Sequence, residues 1–298
     1  MRVFVTGSTG WVGSAVVDEL LAAGHQVTGL CRSDKNACAL SAKGITPVLG
    51  SLENLESLVE AASQADAVVH TAFGHDFSKF AENSEQDRRV IEAMSEPLIG
   101  TQKPILVTTG LLMLAPGRIA TEADMPPLSD PKYPRKTEVA VQTMAARGVR
   151  IGVVRLAPTV HGVGDRMFLA MLADLAREKG VSAYIGDGSN RWCAVHVSDV
   201  GSVYRLALEA GVPMPAFHAC AEEGGPMRAI AEAIGRNLGL PVEPRSREHF
   251  GWFAGFVEND APTSSARTRE ILNWHPNGPA LLDDLANSSY FENWKHLN

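Results

Sequence analysis

The sequence has no stretch of about 18 apolar residues free of charge, so no membrane-spanning helix is expected. It also lacks a basic excess. Its 27 Lys and Arg stand against 34 Asp and Glu, and the formal net charge of -7 argues against a surface that tracks nucleic-acid phosphates. Cysteine is scarce, and Cys31, Cys38, Cys193 and Cys220 are scattered. Cys31 and Cys38 are too far apart for a metal knuckle and no His pair stands at ligand spacing. No metal site is therefore expected, and free thiols in a reducing compartment are the reading. No basic segment, apolar core and cleavage site open the chain, so a signal peptide is not expected and the cytoplasm is the expected location. What remains is 298 residues with 45% hydrophobic content, enough for a large core in one or two domains.

The most informative stretch is the first: Val3-Phe4-Val5-Thr6-Gly7-Ser8-Thr9-Gly10-Trp11-Val12-Gly13. An apolar strand runs into three glycines spaced three apart, and a helix pattern follows at Ala15–Leu21, closed by Gly24. Gly7 lets the chain turn, Gly10 lets backbone approach a pyrophosphate, and Gly13 lets helix and strand pack closely. The unpaired N–H groups of the helix's first turn then face the anion. Thr9, Trp11 and Val12 belong to the same expected cofactor cradle.

Strands and helices alternate through the first half. Strands are expected at 26–30, 45–49, 67–71, 104–108 and 149–155, and helices at 52–65, 79–99 and 137–147. This order predicts an α/β fold, a doubly wound parallel sheet covered on both faces, with ligands beyond the carboxyl ends of the strands. The residues after each strand are thus the candidate site. After the second come Arg32 and Ser33, where an acidic residue would hold a ribose 2′-hydroxyl and an Arg suits a 2′-phosphate, so NADP(H) is expected over NAD(H). Ser51 and Leu52 after the third should lie near the adenine. Thr71, Ala72 and Phe73 after the fourth would let a dinucleotide cross the sheet. Thr108 and Thr109 end the fifth, and Pro158 follows the sixth.

Several further residues carry open readings. His75 and Asp76 follow a strand end, as a proton-donating pair or, with Asp76, as a helix cap. His161 and His196 are pocket candidates, with His196 expected to end a strand before a helix capped by Ser198 or Asp199. Trp192, where a turn enters a strand, is a further substrate-side candidate. Met167–Leu172 reads as core. Residues 249–256, dense in aromatics, read as a lid over an apolar substrate or as a subunit contact, so a homodimer stays open. No Arg and Lys cluster near these loops would suit a nucleotide-sugar diphosphate, which favours a small or medium-sized, fairly apolar carbonyl compound as substrate.

The glycine motif, the run Arg155–Gly162, the junction Ala194–Val200 and the stretch Ser265–Pro276 together resemble the extended short-chain dehydrogenase/reductase superfamily, which includes NAD(P)-dependent epimerases and dehydratases. The resemblance runs nearly the whole chain. It implies a Rossmann-type domain over 1–158, to which segments near 190–212 return, and a smaller, mainly helical substrate-binding part over 159–298. It also implies a catalytic Tyr with a Lys four residues later and a Ser or Thr from the fifth strand. Here the segment reads Pro131-Lys132-Tyr133-Pro134-Arg135-Lys136-Thr137-Glu138. Tyr133 stands at the Tyr position and Thr109 is the favoured hydroxyl, but the nearest Lys, Lys136, is three residues on. Two readings follow. Spacings of three and four share a helix face, so Lys136 reaches the ribose; or the dyad is broken, as in atypical members. The expected activities are an NADPH-dependent carbonyl or enone reductase, a cofactor-retaining epimerase, dehydratase or isomerase, and a non-catalytic NADP(H) sensor.

Overall fold

Val3, Phe4 and Val5 alternate faces along one strand and all three are completely buried, which requires cover on both sides. The computed structural model describes residues 1–130, 133–287 and Tyr290, and it supplies that cover. In chain order the elements are β1 (Arg2–Thr6), α1 (Trp11–Ala22), β2 (Gln26–Cys31), α2 (Asp34–Ala42), β3 (Thr46–Leu49), α3 (Leu55–Gln64), β4 (Ala67–His70), α4 (Phe80–Ser95), β5 (Pro104–Gly110), α5 (Thr137–Ala146), β6 (Arg150–Leu156) and β7 (Thr159–His161). There follow α6 (Phe168–Lys179), β8 (Ser182–Ile185), β9 (Arg191–His196), α7 (Val197–Glu209), β10 (Ala216–Ala219), β11 (Glu222–Pro226), α8 (Met227–Leu238), β12 (Val242–Arg245), α9 (Arg247–Phe250), α10 (Ala254–Val257), α11 (Ala266–Leu272) and α12 (Leu281–Ala286).

Seven strands form one parallel sheet in the order β10-β6-β5-β4-β1-β2-β3. The chain builds outward from β1 to β3, then restarts at β4 on the other side of β1. The crevice of this Rossmann-type α/β fold therefore opens where Thr6 stands opposite His70. On one face Val3 and Val5 pack with Val16, Val17 and Leu20 of α1 and with Val200 and Val203 of α7. On the other, Phe4 and Val68 meet Leu58 of α3, Ile91 and Met94 of α4, and Met144 of α5. Each such fully buried aliphatic contributes roughly 1.5–3 kcal/mol.

One helix goes beyond the expectations, and two local expectations are corrected. Residues 34–42 form a helix that hydrophobic periodicity did not reveal, because Leu40 is its one buried residue. Its start is set instead by Ser33, whose hydroxyl accepts from the Asn36 amide at 3.3 Å. The helix expected over 79–99 ends at Ser95, and Pro97 turns the chain through a short 3-10 segment. His196, not Ser198 or Asp199, caps α7, its ring Nδ1 accepting from the Ser198 amide at 3.3 Å.

From β7 onward the chain is mainly helical and also holds two small sheets, β11-β9-β7 and β12-β8. An apolar cluster there joins Leu169, Trp192, Met227, Ile230, Phe253 and Leu285. α7 and β10 rejoin the large sheet, while β9 stays with β7 and β11.

Candidate functional site

The turn after β1 is built for close approach. Gly7 adopts φ +69°, and a Cβ there would stand 2.7 Å from Thr71 Oγ1 and 2.8 Å from the Ala72 nitrogen. A Cβ on Gly13 would stand 2.0 Å from the Gly7 carbonyl oxygen. Thr9 and Gly10 are exposed, and Trp11 and Val12 are half-buried. Gly10 caps α1 without a side chain, and no acidic residue occupies the first turn, so the amides of Trp11, Val12 and Gly13 are left for an outside acceptor. This cradle fits a pyrophosphate on its own geometry. The Trp11 indole donates to the Val160 carbonyl at 2.8 Å, tying the cradle to β7.

At the end of β2, Arg32 is exposed, and Ser33 is engaged as the cap of α2. Ser51 accepts from the Glu53 amide at 3.3 Å, and Leu52 packs on the α3–α4 side of the sheet. Across the crevice, Thr71 donates to the Thr6 carbonyl at 2.7 Å, and Ala72 and Phe73 follow, half-buried.

Beneath the crevice runs a chain of polar side chains. The Thr6 hydroxyl lies 2.6 Å from His70 Nδ1, and His70 Nε2 donates to Asp87 Oδ1 at 3.0 Å. Thr137 donates to Asp87 Oδ2 at 2.5 Å and accepts from Arg135 Nε at 2.9 Å. The Arg135 guanidinium then donates from Nη2 to the Thr108 carbonyl at 3.1 Å and lies 4.1 Å from the centre of the Phe73 ring. Asp87 is 3% exposed although it sits in a helix stretch rich in charged residues. Sequence periodicity gave no hint of it, nor of which way Arg135 faces.

Tyr133 is buried beside the end of β5. Pro131 and Lys132, just before it, lie outside the described residues. Burial and then the Glu138 carboxylate push the phenol up to about 12, against the downward pull of Arg135, Arg155 and the Thr109 hydroxyl. Thr109 is buried next to the phenol, and its hydroxyl has no partner in hydrogen-bonding geometry among the described residues. Thr108 is turned the other way. It donates to the His70 carbonyl and meets the Tyr204 hydroxyl, both at 2.7 Å, so its side chain is committed to the core. Lys136 is half-buried at the N-cap of α5, where its carbonyl accepts from the Ala140 amide at 3.1 Å, and its side chain makes no hydrogen bond or ion pair among the described residues.

The substrate-side candidates separate. His75 lies at the exposed lip of the crevice. The protein packed around it, and then the Arg135 charge, lower its pKa. Asp76 does not pair with it: Oδ1 accepts from the Ser78 amide at 3.1 Å and the Ser78 hydroxyl at 2.5 Å, which is a cap. His161 is completely buried, with Nδ1 donating to Asp284 Oδ2 at 2.8 Å. Trp192 is completely buried under Phe168 and Phe253, at 5.8 and 6.4 Å between ring centres, and offers no face to the crevice. Pro158 is half-buried between β6 and β7. Aromatic rings bridge the two sides of the mouth: Phe77, after β4, stacks on Trp252 at 5.2 Å and meets Phe256 at 5.8 Å and Phe168 at 6.0 Å. Among the described residues no cluster of His, Cys, Asp and Glu could hold a metal ion, and no helix is long and apolar enough to cross a membrane.

A family model described as NAD(P)H-binding matches residues 7–154. The chain is 46% identical to the "Uncharacterized protein C2A9.02" of Schizosaccharomyces pombe, over 98% of this chain and 100% of that one. It is 40% identical to the "Uncharacterized protein YLL056C" of Saccharomyces cerevisiae, over 96% and 98%. A 2-alkyl-3-oxoalkanoate reductase of Stenotrophomonas maltophilia is 28% identical over 81% and 77%. Among solved structures, the dTDP-glucose 4,6-dehydratase DesIV of Streptomyces venezuelae with NAD bound superposes with a TM-score of 0.76 at 18% identity, covering 98% of each chain. Fold and cradle thus define a dinucleotide-binding protein of Rossmann type. The chain belongs to one family with these two yeast proteins, its residues 7–154 match the NAD(P)H-binding family, and its fold is that of the epimerases and dehydratases of the extended short-chain dehydrogenase/reductase superfamily.

Proposed function

We propose that the protein is an NADPH-dependent reductase of a small or medium-sized, apolar carbonyl or enone compound. The observation that carries this reading is the buried Tyr133 phenol beside the Thr109 hydroxyl at the carboxyl end of β5, which acts on the phenol yet meets no partner in hydrogen-bonding geometry among the described residues. A hydroxyl buried without a partner costs about 1–3 kcal/mol, a cost relieved when a substrate oxygen accepts from it. Thr109 then orients the carbonyl oxygen, and Tyr133 Oη gives it a proton as the C=O bond becomes an alcohol. A nicotinamide held over the crevice supplies the hydride to the carbonyl carbon. Gly7, Gly10 and the amides of Trp11, Val12 and Gly13 would hold the pyrophosphate. Thr9 lines the same turn, and Thr71, Ala72, Phe73 and Pro158 lie along the dinucleotide's course. Ser51 and Leu52 flank the adenine. Arg32 takes the 2′-phosphate, since no acidic residue stands at the end of β2 to hold a free ribose hydroxyl. The aromatic mouth of Phe77, Trp252 and Phe256 favours an apolar substrate over a sugar nucleotide. The reductase name of the Stenotrophomonas relative, whose substrates are oxo compounds, agrees with this choice.

The test is titration with NADPH and NADH, followed by NADPH oxidation across ketones, aldehydes, 3-oxo acids and enones. Affinity for NADPH is expected to exceed that for NADH, and Tyr133→Phe is expected to lower kcat by about a hundredfold or more. Equal affinity for the two dinucleotides removes the role given to Arg32. An unchanged rate in Tyr133→Phe removes the proton donor.

A further inference from the structure

The buried phenol stands at about 12 with the neighbouring cations already drawing it down, so each cation beside it bears on how readily it gives and takes a proton. The charged groups acting on it are Glu138, Arg135 and Arg155. Arg155 is spent: its Nε and Nη2 donate to the Glu138 carboxylate at 2.9 and 2.8 Å, and Nη1 lies 3.2 Å from His218 Nε2. Arg135 differs in that no carboxylate of the described residues pairs with it. It is aimed by neutral groups on three sides: the Thr137 hydroxyl, the Thr108 carbonyl and the face of Phe73. Two of its five N–H donors are used there, which leaves three. Thr137, the residue four after Tyr133, thus serves as a hook for Arg135, and Asp87 holds the hook from below.

We propose that Arg135, and not Lys136, is the cation of this site, pairing with Tyr133 as it gains and loses its proton and donating its remaining N–H groups to the nicotinamide ribose. The assignment rests on the dinucleotide-dependent reaction proposed above. Lys136, at the cap of α5, has no such fixture. A guanidinium suits the place better than an ammonium: its fork is planar, it stacks on Phe73, and it stays charged throughout the working pH range.

Arg135→Met, Arg135→Lys and Lys136→Met separate the two candidates. The first readout is dinucleotide affinity by tryptophan fluorescence. Arg135→Met is expected to weaken NADPH and NADH binding about tenfold, at least fivefold more than Lys136→Met does. The second is the pH profile of kcat/KM for alcohol oxidation, whose rising limb reports the phenol. Without the Arg135 charge that limb moves to higher pH by half a unit or more, and Arg135→Lys brings it back. Arg135→Gln, which keeps a donor for the Thr108 carbonyl, repeats the test if Met at this position prevents folding. A larger loss in Lys136→Met, or a limb that stays put in Arg135→Met, overturns the assignment and leaves the reductase reading intact. If the unaltered protein binds neither dinucleotide, both fall together.

Discussion

Arg155 and Glu138 face each other as a two-pronged ion pair, 0% and 4% exposed, and both charges act on the Tyr133 phenol. The pair links β6 to α5, and with them the wall of the crevice that carries Tyr133. Replacing one member leaves the other charge buried without its partner. Glu138→Gln is therefore expected to cost about 3–5 kcal/mol in urea denaturation. The double replacement Glu138→Gln with Arg155→Met should recover a substantial part of that loss, because the stranded charge is gone. A single variant as stable as the parent would show that His218 and the surrounding dipoles suffice to hold Arg155.

Gly13 is the tightest point of the cradle. Alanine there puts a methyl group 2.0 Å from the Gly7 carbonyl oxygen and 2.7 Å from Thr71 Oγ1, so backbone must move. Gly13→Ala is expected to lose about 1–3 kcal/mol of stability from the forced shift. Because the shifted atoms belong to the cradle proposed to receive the pyrophosphate, dinucleotide affinity is expected to fall more than tenfold, measured by fluorescence titration. Gly24→Ala, at φ +79° but with open space around it, serves as the control: strained, yet remote from the cradle.

Asp165 gives the protein a distinctive pH response. Burial raises its carboxyl from 3.8 to about 6, against donation from the Met167 amide and the Tyr290 hydroxyl. The folded state therefore binds this proton more tightly than the unfolded one. Stability from this group is complete below about pH 4 and falls as pH rises to about 6, by roughly 3 kcal/mol for a shift of this size. Beyond that it is flat. Asp165→Asn should lack the slope, so the stability difference between variant and parent grows across this interval and then levels off. Thermal denaturation at half-unit pH steps reads it directly, and a constant difference would refute the shift.

The stack of Phe77 on Trp252 closes the mouth from both sides, yet Trp252 is 60% exposed. Removing its ring should spare the core and cost no more than about 1 kcal/mol of stability. The effect is expected in substrate handling: Trp252→Ala raises KM for apolar ketones several-fold and leaves kcat nearly untouched, as for a contact made equally in ground and transition states. If kcat falls instead, the stack takes part in the chemical step.

How much of this was legible in the sequence differs from place to place. Val3 to Gly13 announced strand, turn and helix because local sterics dictate all three: φ +69° at Gly7 and the contact at Gly13 admit only glycine. The alternating order of elements likewise fixed a parallel sheet. Helix α2 was hidden because a surface helix with one buried leucine has no apolar stripe to read. Asp87 was hidden for the opposite reason. Its surroundings are charged, and only packing of α4 against α5 turns that one carboxylate inward, to His70 and Thr137. His161, Trp192 and Asp76 stood where a pocket was expected, but tertiary contacts took the first two into the interior and a local turn took the third. The spacing of Tyr133 to Lys136 could not show that the intervening Arg135 points into the crevice, because Pro134 breaks the helical register from which a face would be read.

The loop that leads from β5 to Tyr133 is fastened by the far end of the chain. Ala120 bridges Thr263 and donates to the Pro262 carbonyl at 2.9 Å, while Glu122 accepts from both the amide and the hydroxyl of Thr268 at 2.7 Å. The phenol's aim is thus a joint product of sequence segments nearly 150 residues apart. A chimera that borrows its last third from a relative would inherit a foreign anchor for Tyr133, so crossover points that keep 111–130 and 261–268 from one parent are the ones that preserve the alignment.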